Sequence, residues 1–149
     1  MLVIMHTHSE VVTIANEVIE TLNERESGYR IAAEHIKDAS VGGVFSDFMS
    51  QSTKFTSELM PYSDEASPKE IGKGPLASIY QGWMNLKEKI SGGNINSIIN
   101  DCLAGEEAAV KVYEAALKDE EIPVDLKFIL ERQYGEIKAA QEKLKMLKK

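Results

Sequence analysis

The sequence is poor in the residues that mark metal sites and redox centres, with one cysteine and three histidines among 149 residues. Cys102 alone cannot form a disulfide within the chain, and no Cys and His residues are spaced as a zinc site requires. A Gly-rich phosphate loop, a nucleophile elbow and a dinucleotide fingerprint are also missing. The sequence therefore carries none of the usual signatures of a soluble enzyme, and its single cysteine predicts a reducing compartment, the cytoplasm.

Positive charge and long apolar runs are scarce as well. The chain has 17 basic against 24 acidic residues and a net charge of -7, which works against contact with a phosphate backbone or an anionic membrane surface. No run approaches the roughly 20 apolar residues that span a bilayer. We therefore expect no nucleic acid and no membrane as a partner.

The dominant feature that is present is helical periodicity, because apolar residues recur in steps of three and four along most of the chain. The hydrophobic content of 43% suffices for one core in a chain of this length. Asp38 to Ser40, and Asn94 or Asn96, are suitable helix starts. The pattern predicts an N-terminal tail over residues 1–8 and one domain over 9–149, with helices at about 9–37, 40–62, 76–90, 95–118 and 123–147.

The lengths of the links between these helices predict the topology. A short link near residue 38 joins the first two long helices, and a second short link near residue 120 joins the last two. Between the two hairpins lie about 32 residues that begin with a cluster of Pro, Gly and Ser. The sequence therefore predicts an all-α, ferritin-like antiparallel four-helix bundle with a long crossover that contains one short helix.

Each long helix carries a polar interruption in its apolar seam, near the middle of the helix: Arg25, Ser52, Glu106 and Gln133. Polar groups inside a core are costly unless they find partners. The link positions place these four side chains at a similar depth, so they predict a polar layer across the bundle. In the structural interpretation Arg25 pairs with Glu106 or Glu26, and Ser52 and Gln133 complete the hydrogen bonds.

The alternative interpretation of this layer is a metal site, because bundles of this topology hold two iron or manganese ions with inward Glu and His residues. Such sites use a Glu-x-x-His pair on each of two helices, and this chain has none. His6 and His8 lie in the tail and His35 lies off the seam. Without a suitable histidine, the metal hypothesis predicts a site made of carboxylates alone: Glu26, Glu106 and Glu136.

The crossover helix carries two aromatic residues, Tyr80 and Trp83, that admit two interpretations. They can pack onto the chain's own bundle, which gives the apolar face of a short helix a place to bury. Alternatively, they form a surface through which the chain makes a homo-oligomer. Cys102 lies on the apolar stripe of its helix, where a small buried hydrophobe is expected.

Several short stretches resemble one known family, and they are distributed along most of the chain, from the first long helix to the last: Gly28-Tyr29, Gly82-Trp83, Gly105-Glu106-Glu107 and Glu131-Arg132-Gln133-Tyr134. The chain resembles a bacterial family of ferritin-like four-helix-bundle proteins that is described only as a domain of unknown function. The resemblance implies the fold and a bacterial, cytoplasmic setting, and it implies no activity. This chain has Gln141 where the family often has a His late in the fourth helix, which weakens an inherited metal role.

The sequence therefore leaves two alternative functions, which belong to different classes. The first is a non-enzymatic ferritin-like bundle that acts through its surface or its assembly, with stress physiology as one setting and with no cofactor. The alternative is a carboxylate protein that binds iron or manganese and has weak redox or storage activity.

Overall fold

The computed structural model describes residues 8–64, 83, 94–120 and 122–149, and these residues form helices and no strand. The all-helical prediction is confirmed for this part of the chain. The predicted tail and the predicted crossover helix lie outside it, apart from His8 and Trp83. The elements are α1 (His8–His35), α2 (Ala39–Leu59), a 3-10 turn (Met60–Tyr62), α3 (Ile95–Leu117) and α4 (Val124–Leu147).

Side-chain caps fix the starts of α2 and α3. The Asp38 carboxylate accepts a hydrogen bond from the Val41 backbone N–H at 3.1 Å, and the Asn94 side chain accepts one from the Ser97 N–H at 2.8 Å. These caps satisfy backbone donors that lack a partner inside the helix. Of the two asparagines that suited the start of α3, Asn94 is the cap.

Two helix ends differ from the predicted ones. Helix α1 ends at His35 rather than near residue 37, because the chain must leave the helix to place Asp38 as the next cap. Helix α2 ends at Leu59, and Met60–Tyr62 tightens into the 3-10 turn. Pro61 lies in that turn, where its missing N–H and its ring prevent an α-helix from continuing.

Contacts at the helix ends define how the four helices are connected in space. The Lys149 ammonium lies 3.6 Å from Asp38 at the start of α2, and the Lys149 carbonyl accepts from the Asn96 amide at 2.7 Å, at the start of α3. Tyr62, beyond the end of α2, donates to Asp125 at the start of α4 at 2.6 Å. The end of α4 therefore lies beside the starts of both α2 and α3.

The buried apolar side chains form two clusters. One contains Leu22, Phe55 and Leu130 among its members, and the other contains Tyr29, Phe45 and Trp83. Along α1, Arg25 lies between the two clusters, and along α3 Glu106 does the same. The fold therefore places a buried polar level between two apolar halves of the core.

Candidate functional site

The centre of the polar level is an ion pair between α1 and α3. Arg25 Nε donates to Glu106 Oε1 at 2.7 Å, and Arg25 Nη2 donates to Glu106 Oε2 at 2.9 Å. Both side chains are 0% exposed. A guanidinium that donates to both oxygens of one carboxylate is among the strongest polar contacts in proteins.

The remaining donors of Arg25 are satisfied by α2. Nη1 donates to Ser52 Oγ at 2.9 Å, and Nη2 donates to Gln51 Oε1 at 2.9 Å. The Phe48 carbonyl accepts from Nη1 at 3.4 Å. The guanidinium carbon lies 5.3 Å from the centre of the Tyr29 ring and 5.6 Å from that of Phe48. Arg25 thus ties three helices together, with an acceptor for each of its nitrogens.

Glu106 has a second donor in Tyr29, whose hydroxyl donates to Oε2 at 2.7 Å. Both carboxylate oxygens are therefore engaged by buried groups of the same chain. Tyr29 lies one helical turn from Arg25 on α1, and its spacing from the other apolar residues of that helix places it on the apolar seam. Apolar periodicity alone does not predict this role of Tyr29, although a hydroxyl four residues after a buried charge is a signal that could have indicated it.

The local environment raises the pKa values of Arg25, Tyr29 and Cys102, so all three side chains stay protonated at neutral pH. Burial alone would lower the pKa of Arg25, but the charge and hydrogen bonds of Glu106 raise it above its ordinary value. Burial raises the pKa of Tyr29 well above its usual range, and the Glu106 charge adds to this effect. The same two causes raise the pKa of the nearby Cys102 thiol. A protonated buried thiol is a poor nucleophile.

Gln133 belongs to a different cluster, and the expectation that it completes the hydrogen bonds of Arg25 needs correction. Its Nε2 donates to the Phe55 carbonyl at 3.1 Å and to Glu58 Oε1 at 2.9 Å. Its Oε1 accepts from the Tyr113 hydroxyl at 2.7 Å. Phe55 lies one turn beyond Ser52 on α2, so Gln133 meets the next level of the bundle.

The three carboxylates of the metal hypothesis are not brought together. Glu26 is bound by Arg30 one turn along α1, and Glu136 is bound by Arg132 at 3.2 Å on α4. Within residues 8–64, 83, 94–120 and 122–149, no group of three His, Cys, Asp or Glu side chains could hold an ion. Because Arg25 and Tyr29 occupy both oxygens of Glu106, this donor set does not fit iron or manganese.

The other candidate ligands have local partners. Gln141 of α4 is buried and donates to Glu107 Oε2 of α3 at 3.0 Å. His35 is exposed, with Nδ1 2.9 Å from the Ile31 carbonyl. His6 lies outside the described residues. Neither Gln141 nor His35 contributes to the polar level around Glu106.

Trp83 fills a slot beside the ion pair, between two helical glycines. A Cβ atom on Gly28 of α1 or on Gly105 of α3 would lie closer than 3.0 Å to the indole ring, a separation that Cβ atoms essentially never show. The ring centre lies 5.2 Å from that of Tyr29, and Trp83 is 0% exposed. The indole packs onto its own bundle, as the first of the two interpretations of this residue expects, and the buried Trp83 side chain offers no surface to a second copy. Tyr80 lies outside the described residues.

The part of the chain that the structure describes is thus all-helical, with a buried ion pair between Arg25 and Glu106 in its core. It belongs to the DUF2383 family, a domain of unknown function, whose model matches residues 10–119. No curated protein and no solved structure matches the chain. Among the helices that the structure describes, none has both the length and the apolarity needed to cross a membrane.

Proposed function

We propose that this protein is a non-enzymatic, ferritin-like antiparallel bundle that acts through its surface or its assembly in the bacterial cytoplasm, with stress physiology as its setting. The observation that supports this proposal is that Arg25 and Tyr29 donate hydrogen bonds to the carboxylate oxygens of Glu106. In this proposal the buried pair has an architectural role. It fixes the register of the helices, because sliding one helix would leave a buried charge without its partner.

The order of contacts supports antiparallel hairpins. Asn16, early in α1, contacts Ser63 beyond the end of α2, whereas Tyr29, late in α1, packs against Phe45 early in α2. In the second hairpin, Lys149 meets Asn96, and the pairs between Gln141 and Glu107 and between Gln133 and Tyr113 follow in reverse order.

The ends of the helices support one long crossover. The chain leaves α2 near Tyr62, beside the start of α4, and it enters α3 at Asn94, near the end of α4. These two points lie at opposite ends of the 24-residue α4, about 36 Å long. Short links in an up-down-up-down bundle would not produce this arrangement.

Spin labels test this topology directly. Asp64→Cys and Asn100→Cys place labels at two exposed positions that flank the crossover, and the buried Cys102 is protected from labelling. We expect a separation of about 30 Å between the backbones at these sites. A separation of about 10 Å, as for adjacent helix ends, would refute the ferritin-like connection.

Metal content separates the architectural role from the metal-binding alternative. We expect that protein purified without an affinity tag, after growth with added iron and manganese, contains far less than one ion per chain. The alternative requires about one or two ions per chain, bound by carboxylate oxygens, and their loss in Glu106→Gln. Finding such ions in the native protein and losing them in this variant would overturn the proposal.

A further inference from the structure

The outer face of α4 carries an exposed apolar surface. Three large hydrophobic side chains are strongly exposed among the described residues, and all three lie on this helix: Val124 at 68%, Phe128 at 67% and Met146 at 81%. Gly135 and Ala139, which are also exposed, lie between them. At 100° per residue these five positions fall within an arc of about 60°. They form a second apolar stripe, distinct from the inner seam of Leu126, Leu130 and Ile137.

Charged residues flank this stripe. Their order places opposite charges side by side when a second copy of α4 runs in the antiparallel direction. One flank carries Lys127, Glu131, Lys138 and Glu142, all exposed. A second α4 laid against the stripe in the opposite direction brings Glu131 to Lys138 of the other copy and Lys127 to its Glu142. In antiparallel helix pairs, residues on the same flank face each other. Two-fold symmetry forms each of these pairs twice.

The other flank supports the same register. On that flank, the antiparallel second copy places its Lys143 opposite Asp125. This pairing differs by one residue from the register of the first two pairs. Tyr62 donates to Asp125 and lowers its pKa, so Asp125 is a carboxylate at neutral pH. All three pairings place the two-fold axis near Gly135. A Cβ at this glycine would have no atom within 4 Å, so the face is open there.

We propose that the outer face of α4 is a homodimer interface, in which two copies pack antiparallel across a two-fold axis near Gly135. The same patch meets itself in such an interface, as closed dimers require. Phe128 then packs over Ala139 of the second copy, and Val124 packs near its Met146. The matched family segment ends at residue 119, before α4 begins. The interface is therefore a feature of this chain outside that segment.

The size of the surface sets the expected strength. Helix α4 has 24 residues and presents one face about 36 Å long. One helix face per copy lies at the small end of specific interfaces, so we expect a reversible dimer with a Kd of about 100 μM. This inference deepens the assembly part of the proposed function and rests on it. A monomeric protein would leave the metal content and the stability of the Glu106 variant unchanged, so this inference and the proposed function can fail separately.

Charge reversal tests the register. We expect Glu131→Lys or Lys138→Glu alone to weaken dimerisation about tenfold in sedimentation equilibrium, because each places two like-charge pairs across the axis. The double variant restores both pairs and should recover the native Kd. Within each helix the two changes create separate repulsions, with Lys127 and with Glu142, that add in the double variant. Recovery therefore has to come from contacts between copies.

Cysteine cross-linking gives a second, independent test. Gly135→Cys places a thiol beside its counterpart at the axis, whereas Gly43→Cys places one on α2, at another exposed helical glycine with open space for a side chain. We expect mild oxidation to give disulfide-linked dimers of the first variant and few of the second. A native chain that stays monomeric up to about 1 mM, ten times the expected Kd, equal cross-linking of the two variants, or a double variant as weak as the single ones would overturn the proposal.

Discussion

Replacement of Glu106 by Gln is the sharpest perturbation of the buried ion pair, because it removes one charge and almost no volume. Three donors point at the carboxylate: Arg25 Nε at 2.7 Å, Arg25 Nη2 at 2.9 Å and the Tyr29 hydroxyl at 2.7 Å. In the variant, the amide nitrogen must take the place of one oxygen. In either orientation it faces an Arg25 N–H, so the guanidinium loses one acceptor together with its counter-charge.

The expected cost follows from burial. Both side chains are 0% exposed, and removing one partner of a buried pair typically costs about 3 to 5 kcal/mol, since the other charge stays without compensation. We therefore expect Glu106→Gln to lower the free energy of unfolding by about 3 kcal/mol or more. Urea unfolding at neutral pH, followed by far-ultraviolet circular dichroism, measures this loss.

Glu136→Gln is the matched control. Glu136 also pairs with an arginine, Arg132, but both side chains are more than 40% exposed and the distance is 3.2 Å. Exposed pairs contribute about 0.5 kcal/mol or less, so this variant should unfold close to the native midpoint. A loss below about 1 kcal/mol for Glu106→Gln, or equal losses for the two variants, would refute the reasoning from burial.

Two further predictions concern other buried groups of the core. Burial raises the pKa of Cys102 and Tyr113 above their ordinary values of 9.0 and 10.0. These two side chains therefore lose their protons at lower pH in the unfolded chain than in the folded one. Their contribution to the free energy of unfolding is fully present below pH 9 and is lost above it, by up to about 1.4 kcal/mol per pH unit for each proton. Urea unfolding at several alkaline pH values should show this fall, and a shallower one for Tyr113→Phe. Separately, Gly28→Ala should cost about 1 to 3 kcal/mol because its Cβ strikes Trp83, and tryptophan fluorescence should report the displaced ring. At Gly43 a Cβ has open space, so Gly43→Ala should raise the free energy of unfolding by about 0.5 to 1 kcal/mol. Equal effects of the two glycine variants would contradict the close packing of Trp83 against Gly28.

Much of the helical framework was predictable because helix periodicity and caps are local properties of the sequence. Asp38 and Asn94 cap the helices that their positions suggested. The end of α2 was harder, since the apolar stepping continues through Tyr62 while Pro61 already ends the helix. A seam is a weaker guide to a helix end than a proline within it.

The buried level was predictable in part. Interruptions of the seams predicted that Arg25, Ser52 and Glu106 share a depth, and the hydrogen bonds join these three. Gln133 meets Glu58 and Tyr113 instead. The choice of partner depends on the axial offset and rotation of each helix within about one turn, and link lengths fix neither to that precision.

A double-mutant cycle on Arg25 and Glu106 tests the architectural role of the pair most directly. The cycle compares the free energies of unfolding of Arg25→Met, Glu106→Leu and the double variant with that of the native chain. Each single change leaves one buried charge alone and should cost about 3 to 5 kcal/mol, whereas the double change leaves none and should cost far less than their sum. If the two costs simply add, the side chains do not stabilise each other, and the central role given to this pair is wrong.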